Sequence, residues 1–293
     1  MKKILTVLLM FVAMSSFAQK NQFVKGHFVG ISSPYVVYYT YSDLENKVND
    51  VWLWNTLTNH TDSLYAIEAK IVDNALYYCD CKTIKKRNLS SESVSGDSVI
   101  YSSPFEIENF YIDNGNLLVT EIDSSYEKVN IKYYVDGVCS FCQSVPCIPQ
   151  ELEYQIVQIF PLEDCFAITV QGDLYIFDKK KKELKKILEN CIHVDSSGNI
   201  YYGVNSETDF SNILYVANIN DLSKKIELIK FPHLIFAYNY ICNGINKSCF
   251  DIDKGLYELE NMKIRQIMNV RFSDEKGNAV TYNPKEGYFI LEY

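Results

Sequence analysis

Nine cysteines, four histidines and a scatter of carboxylates are the side chains able to do chemistry, and their spacing decides what they can do. Cys139-Ser140-Phe141-Cys142 has the two-residue gap that lets two sulfurs reach one zinc ion or exchange a disulfide, and Cys147 adds a third thiol. A zinc ion asks for a fourth ligand, and thioredoxin-like exchange asks for a βαβ context; the surrounding sequence offers neither. A structural disulfide among Cys139, Cys142 and Cys147 is therefore expected, and Cys242 and Cys249 are placed to close a hairpin. Connectivity does not follow from sequence, and an odd number leaves at least one thiol unpaired within the chain.

The other candidates are weaker. His27, His60, His193 and His233 lack a partner two or four residues away, so none forms a metal or catalytic pair. Asp251-Ile252-Asp253-Lys254-Gly255 with Glu258 and Glu260 has the alternating oxygens of a calcium loop, but lacks a third spaced ligand before its glycine and a glutamate at the twelfth position. It reads as a polar hairpin corner. Glu106 and Glu108 share a strand face at a spacing that suits acid–base work. No metal and no cofactor is expected. Trp52 and Trp54, the only tryptophans, fall on one strand face. Exposed, they would form a stacking platform with Tyr38 or Tyr41 for a sugar ring or a protein; buried, they would wedge sheets together, which is the weightier reading. The run Lys179 to Lys182, with Lys185 and Lys186, reads as a solvated hairpin turn that discourages edge pairing.

The elements that must position these residues are strands. Tyr (23) and Phe (16) are abundant, which suits pleated, half-buried surfaces. Short period-two apolar stretches recur along the chain, as in Tyr35 to Tyr41, Asn116 to Ile122, Asp173 to Phe177 and Tyr288 to Tyr293, each bounded by Asn, Asp, Gly, Ser or Lys. Ahead of them, Lys2 and Lys3, the apolar run Ile4 to Met14 and the small residues before Gln19 have the form of a signal peptide over residues 1–18. The expected product, residues 19–293, is one exported domain, periplasmic or extracellular. It carries no lipid anchor, because the first cysteine is Cys79, and no later stretch is apolar enough to insert in a membrane. Loss of Lys2 and Lys3 moves the net charge from −9 to −11, which argues against nucleic acid as a partner.

A weak repeat joins the strands. Asp113-Asn114-Gly115-Asn116, Gln171-Gly172-Asp173, Asp195-Ser196-Ser197-Gly198-Asn199, Asp253-Lys254-Gly255 and Asp274-Glu275-Lys276-Gly277-Asn278 each place a polar turn and a glycine before an apolar strand, and Asp73-Asn74-Ala75 is a sixth copy without glycine. Gly115 to Gly172 and Gly198 to Gly255 are both 57 residues apart, with intervals of 26 and 22 beside them, so the unit is about 40 residues long. With the outer-strand phrases Leu174-Tyr175-Ile176-Phe177-Asp178 and Leu214-Tyr215-Val216-Ala217-Asn218, the chain resembles the β-propellers.

That resemblance implies an all-β ring of six or seven four-stranded blades, closed by Gln22 to Ile31 beside Tyr288 to Tyr293. A pair of β-sandwiches split near Pro149 is the alternative. It implies no site residues, because Trp-Asp pairs, kelch glycines and sialidase aspartate boxes are missing. The expected function is a monomeric, non-catalytic module that binds a protein, peptide or glycan through loops at one face, with Trp52 and Trp54 as binding candidates. A hydrolase or lyase acting on glycans or peptides at the central channel is the alternative, so whether the chain is an enzyme stays open here.

Overall fold

Polar turns and alternating apolar strands give the chain its layout in a computed structural model that describes residues 22–43, 48–89, 96–148, 157–205, 212–231, 236–242, 245–252, 255–260, 262–273, 279–283 and 287–292. The described residues form seven antiparallel sheets of four strands each. Blade 1 holds β2 (His27–Ser32), β3 (Tyr35–Asp43), β4 (Val48–Asn55) and β5 (His60–Ala66). Blade 2 holds β6 (Glu68–Val72), β7 (Ala75–Cys79), β8 (Thr83–Asn88) and β9 (Ser98–Ser102). Blade 3 holds β10 (Glu106–Asp113), β11 (Asn116–Ile122), β12 (Lys128–Val135) and β13 (Val138–Pro146), and blade 4 holds β14 (Val157–Pro161), β15 (Cys165–Val170), β16 (Asp173–Asp178) and β17 (Glu183–Leu188). Blade 5 holds β18 (Cys191–Val194), β19 (Asn199–Asn205), β20 (Asn212–Asn218) and β21 (Asp221–Phe231), and blade 6 holds β22 (Phe236–Cys242), β23 (Ile245–Ile252), β24 (Gly255–Glu260) and β25 (Lys263–Ile267). Blade 7 runs from β26 (Val270–Ser273) through β27 (Ala279–Asn283) and β28 (Tyr288–Glu292) to β1 (Gln22–Lys25), the first of the described strands.

Seven blades settle the choice between six and seven, and the paired-sandwich alternative is replaced by one succession of blades. Ring closure joins the first and last of the described strands: Gln22 stands opposite Leu291 and Lys25 opposite Tyr288. The extended stretch Gln22 to Ile31 divides at Gly26, so that only β1 pairs with β28 while β2 opens blade 1. Gly26 donates its N–H to the Gly287 carbonyl at 2.8 Å and sits at φ +155°; a Cβ there would meet Tyr38 at 2.8 Å.

Second strands such as β7 and β11 are buried on both faces between neighbouring blades. Buried clusters fill the seams. Leu53 and Leu76 pack between blades 1 and 2, Ile84 and Val119 between blades 2 and 3, Val129 and Phe177 between blades 3 and 4, and Trp54 and Phe289 between blades 1 and 7. Outer strands such as β5 and β13 face solvent over most of their length. The tight turns follow their residues: Asn114 and Gly115 (φ 49° and 80°), Asp73 and Asn74 (48° and 57°), Asp136 and Gly137 (50° and 76°) and Gln171 and Gly172 (50° and 85°) all carry two successive positive φ values. That is the two-residue hairpin whose twist matches its strands.

Candidate functional site

One end of the ring is built from the turns between second and third strands and the crossings from each blade to the next. At that end three separate segments of blades 3 and 4 are tied together. The turn after β11 is organised by Asp123, whose carboxylate accepts from Ser125 Oγ (2.9 Å), Glu127 N (3.2 Å) and Lys128 N (3.3 Å). Desolvation works to raise the Asp123 pKa, but those bonds together outweigh it and hold the carboxyl below its ordinary value. Tyr126 sits in this turn at φ 58°, exposed, and its hydroxyl donates to Glu106 Oε1 at 3.1 Å; that bond raises its pKa. Cys147 donates its N–H to the Glu127 carbonyl (2.9 Å) and its thiol to the Tyr126 carbonyl (3.3 Å), fastening the end of β13 to the same turn. The Gln171 side-chain amide then clamps Ile148 from both sides, accepting its N–H at 2.6 Å and donating to its carbonyl at 2.7 Å. The result is a rigid corner that presents Tyr126, Ile148, Glu106 and Glu127 to solvent.

The desolvated ionisable groups elsewhere lie along blade seams. Glu121 on β11 is fully buried; Lys132 pairs with its Oε2 at 2.6 Å, and the Tyr101 hydroxyl donates to its Oε1. Burial, then the Glu121 bond, drives the Tyr101 pKa upward, and Tyr134 donates to the Tyr101 hydroxyl at 3.4 Å. Burial works to lower the Lys132 pKa, but Glu121 outweighs it and holds the ammonium above its usual value. Nearer the axis, Lys70 on β6 pairs with Glu68 (3.0 Å) and donates to Asn109 Oδ1 (2.8 Å), while Asn109 Nδ2 donates to the Val157 carbonyl (3.0 Å), linking blades 2, 3 and 4. Arg87 joins Asp97 at 2.6 Å within blade 2 to Asp62 of blade 1 at 2.7 Å.

The residues singled out in the sequence are dispersed. Trp54 is buried (4% exposed), with its indole N–H on Asn59; half-buried Trp52 donates to Thr40 at 3.0 Å. They form no exposed stacking platform, because neighbouring blades need large side chains to fill their wedge. The bridge expected among Cys139, Cys142 and Cys147 is not formed: all three are free thiols, as are Cys79, Cys81, Cys165 and Cys191. Cys139 and Cys142 lie along one extended strand, and Cys147 is turned into the corner beside Tyr126. The hairpin bridge between Cys242 and Cys249 is out of reach in register. Cys242 faces Ile245 and Cys249 faces Tyr238, four ladder steps or about 13 Å apart, against the roughly 4.4–6.8 Å between Cα atoms that a disulfide spans. The side chains of both cysteines lie outside the described residues.

A bulge between Ile107 and Asn109 leaves Glu108 without a cross-strand partner, so the regular alternation expected of Glu106 and Glu108 is broken there. His27 donates or accepts at Tyr282 Oη (2.9 Å) and stacks on Tyr39, and burial lowers its pKa below 6.5. His193 is fully buried between Phe160 and Tyr201, His60 is exposed in β5, and His233 lies outside the described residues. The side chains at Asp251 and Asp253 also lie outside them. Among the described residues no group of three His, Cys, Asp or Glu side chains could hold a metal ion. The lysine run does more than face water: Lys179 pairs with Asp113 of blade 3 at 2.8 Å over the Phe166 ring, and Lys182 covers the Tyr133 ring at 4.5 Å. Sequence reasoning missed this clamp, since Asp113 and Tyr133 belong to another blade.

No family model matches the chain, and no curated protein matches it. Solved structures do. The β-propeller domain of the Trilobed protease from Pyrococcus furiosus, described as having an open velcro topology, is 15% identical over 88% of this chain and 91% of its own, with a TM-score of 0.54. A chain in the Saccharomyces cerevisiae assembly of Dbp5 with Nup159, Gle1, IP6 and ADP is 10% identical, covers 93% of this chain and 90% of its own, and has a TM-score of 0.53. The N-terminal domain of Nup159 is 10% identical with the same coverages and a TM-score of 0.52. At these identities the likeness shows the fold: this chain has the architecture of a β-propeller.

Proposed function

We propose that this chain is an exported, monomeric and non-catalytic binding module that takes a protein, peptide or glycan at the end of the ring carrying Tyr126 and Ile148. The observation that carries this reading is the division of labour among polar side chains. Groups removed from water, such as Glu121, Lys70 and Asn109, are engaged in joining blades, with Lys132 balancing the Glu121 charge, whereas the corner at Tyr126 and Ile148 spends its bonds on holding exposed apolar side chains in place. A rigid aromatic or aliphatic anchor loses little entropy on binding, which is what a recognition surface needs. Tyr126 stands 38% and Ile148 52% exposed, and Met268, in the crossing from blade 6 to blade 7 at the same end, is 84% exposed. The acidic net charge supports a partner other than nucleic acid. Propeller neighbours that occur in protein assemblies are consistent with a protein partner.

The test is binding of the purified chain to glycan and peptide arrays, repeated with Ile148→Asp, Tyr126→Ser and, at the opposite end, Leu57→Asp. Loss of tenfold or more in affinity with the first two, with Leu57→Asp unchanged, supports the reading. Binding that ignores both ends, or turnover of an arrayed glycan or peptide abolished by Glu68→Gln, would replace it with a different surface or with channel catalysis.

A further inference from the structure

The outer end of the seam between blades 2 and 3 carries two thiols that the seam does not use. β13 is the exposed outer strand of blade 3, and its pairing with β12 shifts register by one residue: Tyr133 faces Phe141 while Tyr134 faces Cys139, leaving Ser140 as the extra residue of a bulge. Cys142 faces Lys132. Lys132 and Tyr134 are alternate residues of one strand and share a face, and cross-strand partners point the same way. The bulge therefore turns Cys139 and Cys142, three residues apart, onto one face; in a regular strand that spacing puts them on opposite faces. Both are exposed, and the Cys139 thiol leans along the strand, donating to the Phe141 carbonyl at 3.3 Å, toward Cys142.

We propose that Cys139 and Cys142 form a two-coordinate site for a soft monovalent cation of the Cu(I) class. Cysteines opposite alternate residues of a strand have Cβ atoms about 7 Å apart. That is too far for a disulfide, whose Cβ atoms lie about 3.5–4.5 Å apart. A metal between the sulfurs removes the mismatch: with metal–sulfur bonds of about 2.3 Å, a linear bridge spans about 4.6 Å, within reach of two side chains rotated toward each other. The objection to zinc, that no fourth ligand is at hand, does not apply to an ion satisfied by two thiolates, and thiolate is the ligand that soft ions select. Binding releases two protons and leaves a complex of charge −1, and the Lys132 side chain stands on the same face opposite Cys142. The site is independent of the binding corner at Tyr126.

Titration of the reduced chain with Cu(I) under anaerobic conditions, in competition with a chromophoric Cu(I) chelator, reads the site directly. One ion per chain is expected, lost tenfold or more in affinity in both Cys139→Ser and Cys142→Ser, with the double variant no weaker than either single one. Cys81→Ser should bind as the parent does. Moving one thiol to the other face, in the exposed and readily tolerated pair Val138→Cys with Cys139→Ser, should fail to restore affinity. Two independent ions per chain, equal binding in the Val138→Cys variant, or recovery of Cys139 and Cys142 as an intramolecular disulfide two hydrogens lighter would each overturn the proposal.

Discussion

A buried charge is tolerable only with its partner, and Glu121 is the residue at which this chain depends on that rule most directly. Removing Lys132 as Lys132→Met leaves a fully buried carboxylate without its cation, and chemical denaturation should show a loss of about 3–5 kcal/mol. The double change Glu121→Gln with Lys132→Met should recover a large part of that, since no charge is then stranded. His27 sets a pH dependence. Its folded pKa lies below 6.5 because burial disfavours the imidazolium, so the unfolded chain binds its proton more readily. Its contribution is present above pH 6.5 and is lost as pH falls toward and through the folded value. The melting temperature should therefore drop more between pH 7.5 and 5.5 in the parent than in His27→Asn. Residue types were legible in the sequence at both sites, but their partners were not: Tyr282 lies 255 residues from His27, and Glu121 meets Tyr101 from another blade.

Local chemistry fixes the hairpins, and at this scale sequence and structure agree most closely. Asn114-Gly115 and the glycine-free Asp73-Asn74 both make the tight turn expected of them, because positive φ is a property of the residues in the turn. At Gly115 nothing stands within 4 Å of an added Cβ, so Gly115→Ala isolates the backbone term and should cost about 1–2 kcal/mol, read from the shift in denaturation midpoint. The 57-residue spacing, by contrast, compares unlike turns. Gly115 lies between the first and second strands of blade 3, whereas Gly172 lies between the second and third strands of blade 4, so the interval is one blade plus one strand. The cysteine pairings failed at this scale too: local proximity favoured a bridge between Cys242 and Cys249, and hairpin register separated them.

At the scale of the whole molecule, closure by β1 makes the first described strand part of the last blade. Removing residues 22–25 strips four ladder positions from β28 and takes Val24 from the seam between blades 7 and 1. A loss of about 2–3 kcal/mol is expected, and at roughly 2–4 °C per kcal/mol the melting temperature should fall by about 5–10 °C. Calorimetry of the shortened chain checks this, and an unchanged melting temperature would show that the other blades hold the ring without its closing strand. The sequence by itself determined the all-β class and the tight turns, because strand periodicity and turn geometry are local, while the four-stranded unit followed from the resemblance to β-propellers. Only the tertiary structure decided the seven blades, the division of Gln22 to Ile31 between two of them, the burial of Trp54, the lysine clamp on Asp113 and Tyr133, and the face on which Cys139 and Cys142 stand. Each of these depends on strand register or on contacts between blades distant in the chain, which no local pattern encodes.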